Sequence, residues 1–108
     1  MRYGTAVMSR PAAVPTIQLE NERVRVTEWR FAPGAATGFH RHEYDYVVVP
    51  LATGSLLLLE DGEERESKLT VGASYFRPAG VEHDVVNASA GEFAFIEIEL
   101  LDSPAGDG

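Results

Sequence analysis

A chain of 108 residues with 44% hydrophobic content is one folded domain, too short for a second core and too apolar for global disorder. It has no cysteine, so disulfides and thiolate metal sites are excluded and any metal must rest on nitrogen and oxygen ligands. A formal charge of −8, from 17 acidic and 9 scattered basic residues, argues against nucleic acid, and no apolar run approaches the roughly 18 residues of a membrane span.

Residues 1–15 read as a loose leader containing Pro11 and Pro15, with Met8 an alternative start to Met1. The opening M-R-Y-G-T-A-V-M-S-R lacks the continuous apolar core of a secretion signal, so the expected compartment is the cytoplasm. The folded domain is expected over residues 16–101, with 102–108 a Gly/Pro-rich tail that frays. Between these ends lie short β-branched and aromatic runs punctuated by turn signals, the pattern of a sandwich or barrel. Ile17–Leu19 begins the series, and Arg23–Phe31 follows, ended by Pro33-Gly34. Phe39–His42 and Tyr44–Leu51 come next. Ser55–Glu60 and Glu64–Thr70 flank Asp61-Gly62, a hairpin signal. Ala73–Phe76, His83–Ala88 and Phe93–Leu101 complete the set. No segment carries a capped apolar stripe of helical period. Closure into a barrel would remove exposed strand edges. The last strand offers two faces, Ala94/Ile96/Ile98/Leu100 and Phe93/Phe95/Glu97/Glu99. With the first face lining the barrel, Phe93 and Phe95 become contacts of an expected homodimer.

The segment Gly34–Tyr46 holds His40 and His42. Side chains two apart on a strand share a face, so these imidazoles project together and suit a divalent cation. The remaining histidine, His83, lies in the turn-rich segment Gly72–Asn87, which the fold is expected to bring opposite the pair. The bland alternative is three structural or surface histidines. By the same parity Tyr46 faces inward and Asp45 outward, unless a bulge after Glu43 rotates Asp45 in. A neutral phenol is a poor ligand because its pKa lies near 10. Tyr46 is therefore expected to donate a hydrogen bond or contact substrate. Arg77 is a candidate carboxylate binder at the barrel mouth or a solvated surface residue, and Tyr75 either lines the pocket or packs the barrel. Arg41 is expected to face outward and pair with Glu43 or Asp45. Trp29 fits a barrel wall or a dimer interface, and Asn87 is expected to fix a turn or orient His83.

The two segments resemble the two signature motifs of the cupin superfamily. Gly34, His40 and His42 fit the first, but Tyr46 stands where the family has Glu, and the later glycine arrives one residue late as Gly54. The second is matched at every defined position by Gly72, Pro78, Gly80, His83 and Asn87. Gly, Pro and Gly at three set positions is a coincidence of about 2 in 10,000 at average usage. The run from Val24 to Pro50, with S-Y-F-R-P-A-G-V-E-H-D-V-V-N and F-A-F-I-E-I-E-L, is similar to small single-domain cupins of a subgroup named for β-alanine degradation. The resemblance implies an all-β double-stranded β-helix or jelly-roll barrel. It also implies a divalent metal on His40, His42 and His83, with Fe(II) favoured over Zn, Ni, Mn or Cu. Some three-histidine cupins that it resembles are thiol or diketone-cleaving dioxygenases. The expected function is thus a metal-dependent dioxygenase-type enzyme on a small organic acid or related metabolite. The alternatives are a non-catalytic binding or sensing protein and a metal-free isomerase or lyase. The expected partners are a small-molecule ligand and a second copy of the chain, with neither nucleic acid nor membrane.

Overall fold

The computed structural model describes residues 10–104 of the chain, with side chains through Asp102; the alternative starts Met1 and Met8, and the end of the expected tail, lie outside the described residues. Nine strands and no helix occur among them: β1 Val14–Glu20, β2 Val24–Phe31, β3 His40–Arg41, β4 Tyr44–Pro50, β5 Gly54–Glu60, β6 Glu63–Leu69, β7 Tyr75–Arg77, β8 Glu82–Val86 and β9 Phe93–Pro104. All pairings between them are antiparallel, in a five-stranded sheet of order β1-β2-β9-β4-β7 and a four-stranded sheet of order β3-β8-β5-β6. This is the all-β, single-domain architecture expected from the sequence. The first strand begins at Val14 rather than Ile17, and the last extends past Leu101 to Pro104. No helix among the described residues is long and apolar enough to cross a membrane.

Alternation makes the core. Phe31, Tyr46, Val48, Phe93 and Phe95 from the five-stranded sheet meet Leu56, Leu58, Leu69 and Val85 from the other. Burying an aliphatic or aromatic side chain in this way stabilises by about 1.5–3 kcal/mol. The hairpin between β5 and β6 turns on Asp61 and Gly62, with φ of 56° and 75°, the mirror-image turn that matches strand twist. Gly54 allows close approach on the same strand, since a Cβ there would meet the Phe93 ring at 3.2 Å.

One expectation is overturned. Phe93 and Phe95 are not partner contacts; they are only 3% and 5% exposed and pack in the core. Aromatic bulk decides the orientation of β9, which turns Glu97 and Glu99 inward with the phenylalanines. Ile96, Ile98 and Leu100 then lie half-buried on the outer face.

Candidate metal centre

Strand pairing brings the distant histidines together. His40 lies directly opposite His83 in the β3–β8 ladder, and His42 follows two residues on. The loop before β8 is laced to the segment after β3: the His42 amide donates to Val81 O at 2.9 Å, and the Gly80 amide to His42 O at 2.8 Å. Asp45 holds the same loop by accepting the Ala79 amide at 2.8 Å. Gly80 turns there at φ 97°, a conformation that L side chains resist. Although a register shift does fall between Tyr44 and Asp45, Tyr46 stays inward and buried, its ring stacked on His42 at 3.9 Å between centroids.

The three imidazoles converge through Nε2. His42 Nε2 lies 3.0 Å from the Nε2 atoms of both His40 and His83, and the ligand atoms all fall within 4.8 Å of one another. Two nitrogens bound to one ion at ~2.1 Å and a right angle would stand about 3.0 Å apart, so His42 with either neighbour has the spacing of adjacent ligands on one divalent cation. An outer contact fixes the tautomer of His40. His40 Nδ1 is 2.8 Å from Gly38 O; a carbonyl only accepts, so Nδ1 carries the proton and Nε2 keeps its lone pair. His83 Nδ1 is buried without a hydrogen bond, 3.8 Å from Glu60 Oε1. Glu60 is in turn held by Arg77 at 3.3 Å and Arg65 at 3.4 Å. Burial, with neighbouring His40 adding to it, pushes His42 down to about 3 and His83 to about 4. Both are therefore neutral near pH 7, the state that ligates.

His40 and His42 line an open cavity of about 680 Å³, walled also by Trp29, Thr37, Arg25, Tyr44 and Glu97 among others. Behind it lies an inner pocket of about 30 Å³, lined by Tyr46, Tyr75, Arg77, Leu58, His83 and Phe95, with room for a group or two of water size. The Tyr46 hydroxyl is buried there without a partner, and burial pushes its phenol well above the ordinary range, so it stays a neutral donor. Burial also raises Tyr75. Arg77 faces this inner pocket, paired to Glu60. Arg41 turns outward to Glu43 at 3.5 Å and Glu82 at 3.6 Å. Asn87 is fully buried and staples a turn, its amide donating to Phe31 O, Ala32 O and Gly91 O. Trp29 forms cavity wall.

Sequence reasoning missed two acids. Glu60 precedes the hairpin turn and reads as a surface residue. Glu97 was legible: it shares parity with Phe93 and Phe95, and two aromatics mark the buried face of a strand more strongly than small aliphatics do. It lines both the outer cavity and the inner pocket, and burial raises its carboxyl to about 7.

Comparison with known proteins accords with this geometry. The sequence profile of the cupin domain matches residues 27–99. The β-alanine degradation protein BauB of Pseudomonas aeruginosa PAO1 is 60% identical over 91 residues, which span 84% of this chain and 96% of that protein. A crystal structure of a cupin domain from Bordetella pertussis Tohama I superposes with a TM-score of 0.85 at 60% identity, covering 87% of this chain and 98% of that one. A cupin superfamily protein from Desulfitobacterium hafniense DCB-2 shares the fold, with a TM-score of 0.66 at 20% identity and coverage of 89% and 84%.

Proposed function

This chain belongs to the cupin-domain family, and on that premise we propose that it is a metal-dependent enzyme of the Fe(II) dioxygenase type. Its substrate is a small organic acid or related metabolite, bound at His40, His42 and His83. Tyr46 donates a hydrogen bond to that substrate, and Tyr75 and Arg77 shape the inner wall. The observation that carries this reading is the convergence of three Nε2 atoms where an inner pocket lined by all three histidines meets an open cavity lined by His40 and His42. Three neutral imidazoles leave the charge of a bound dication uncompensated, which favours an anionic or chelating ligand. When bound, the ion would supply Lewis acidity and, as Fe(II), redox chemistry. The name of the Pseudomonas relative ties that protein to β-alanine degradation and supports a small acid as the substrate class.

The protein works in the cytoplasm as a homodimer in this reading. Support for the dimer comes from the outer face of the five-stranded sheet, where Val24, Val26, Val47, Val49, Ile96 and Ile98 form a continuous apolar surface across β2, β9 and β4. Strand β1 adds a segment exposed along its whole length.

The test is elemental analysis of protein purified without a His-tag, followed by oxygen-electrode measurements on anaerobically Fe(II)-loaded protein with short acids, thiols and β-dicarbonyls. The expected result is one metal per chain, oxygen uptake with a member of the panel, and loss of both in His83→Ala. Bound metal without uptake would favour a binding or sensing protein. Absence of metal would favour an isomerase or lyase using histidine as base.

A further inference from the structure

We propose that Glu97 is the proton-accepting group of this cavity: it takes the proton that a weakly acidic substrate loses on binding at the histidine cluster. The inference rests on the reading of that cluster as the substrate site and adds a role that ligation does not supply. Glu97 is outside the group of residues whose ligand atoms converge, yet it lines the outer cavity and the inner pocket, both of which also include His40 and His42.

Three observations distinguish it from a structural acid. It is only 9% exposed, and no hydrogen bond or ion pair holds its carboxylate to another described residue. A carboxylate kept for structure is ordinarily paired, whereas the Glu97 oxygens are not among the wholly enclosed side-chain atoms that lack a partner and so keep contact with the cavity. Its cross-strand neighbours offer no charge: Thr27 on β2 and Val48 on β4 stand beside it, with Tyr75 next along that row. The charged and titratable groups facing this region are otherwise committed. Arg25 on β2 is locked to Glu99 at 2.7 Å and Glu20 at 3.2 Å. Tyr46 on β4 and Tyr75 on β7 are neutral phenols pushed upward by burial. His42 is held neutral, and His40 is tied through Nδ1 to Gly38 O. Glu97 is thus the acid left free to exchange a proton with a ligand, and burial brings its carboxyl to about 7, where a base is most effective near neutral pH.

The step is a proton transfer. The substrate's X–H bond breaks, its electron pair stays on X, and an O–H bond forms on a Glu97 carboxylate oxygen. On release the proton returns to the departing ligand or to water, so no oxidant or reductant is consumed. The ligand class is a weak acid that binds as its conjugate base.

Acetohydroxamic acid serves as the probe, titrated calorimetrically into metal-loaded protein at about pH 8 in two buffers of different ionisation enthalpy, which reports the protons released to solvent. The wild type is expected to release close to none, and Glu97→Gln to release about one more per probe bound. Infrared difference spectra of the wild type supply a readout that needs no variant: binding should create a protonated-carboxyl band. Equal proton release by the two proteins, or no such band in the wild type, overturns the role of Glu97. Failure of the probe to bind metal-loaded protein overturns the substrate site itself, and this proposal falls with it.

Discussion

Replacing Glu97 with Gln removes the buried acid while keeping its shape, and the effect on stability should depend on pH with a calculable size. An exposed glutamate titrates near 4.5, whereas burial, reinforced by Glu99 and opposed by Arg25, raises Glu97 to about 7. Between those values the folded protein holds a proton that the unfolded chain has released. Burying the group therefore costs little at low pH and progressively more as pH rises through the folded value. Integrating the difference in proton binding gives a loss on the order of 2–3 kcal/mol of stability between roughly pH 5 and pH 8. Chelator-treated wild type and Glu97→Gln should therefore be unfolded in urea at both pH values. The lowered His42 and His83 groups also titrate between folded and unfolded states, but identically in the two proteins, so they cancel in the comparison. The variant should gain on the order of 2–3 kcal/mol on the wild type as pH rises over that range. A difference that stays constant within about 0.5 kcal/mol would show that Glu97 is not a desolvated acid in the folded state.

Glu60→Gln should weaken metal affinity by about tenfold, measured by competition with a chromophoric chelator, because the negative charge 3.8 Å from His83 Nδ1 is lost; unchanged affinity would remove Glu60 from the site. Asn87→Ala leaves three backbone carbonyls without their amide donor and should cost about 3 kcal/mol, read from the urea midpoint. Ile98→Asp places a charge at the centre of the outer apolar face, between Val26 and Val47. It should convert a dimer to a monomer in sedimentation velocity while leaving the far-ultraviolet circular dichroism unchanged, and a wild type that already sediments as a monomer would remove that face as an interface.

The strands were legible because turn chemistry is local. Asp61-Gly62 and the loop of Pro78 and Gly80 say where the chain reverses whatever surrounds them, and the i, i+2 spacing of His40 and His42 fixes their common face. That His83 lies opposite His40 was readable only through the resemblance, since cross-strand register is set by packing rather than by either segment alone. The faces of β9 were misread because F-A-F-I-E-I-E-L carries large apolar groups at both parities. One parity bears two acids, and a pattern that scores acids as outward assigns the wrong side. Core volume decides otherwise: Phe93 and Phe95 fill space between the sheets that Ala94 and Ile96 could not, and Glu97 follows them inward.

That inward turn links the departure at Tyr46 to the rest of the site. Across the inner face one row reads Arg25, Glu99, Tyr46, Arg77 and the next reads Thr27, Glu97, Val48, Tyr75. In the first row the arginines have acid partners, Arg25 with Glu99 and Arg77 with Glu60, so Tyr46 sits between neutralised pairs and contributes a buried, unpartnered hydroxyl instead of a charge. The negative charge that the cupin motif places beside its histidines is absent there, and the acid of the second row faces the cavity rather than the converging nitrogens. With a dication held by the neutral imidazoles, a ligand entering between His42 and Glu97 would meet the ion's charge at one end and a proton acceptor at the other. That arrangement favours a molecule which binds as an anion but arrives protonated.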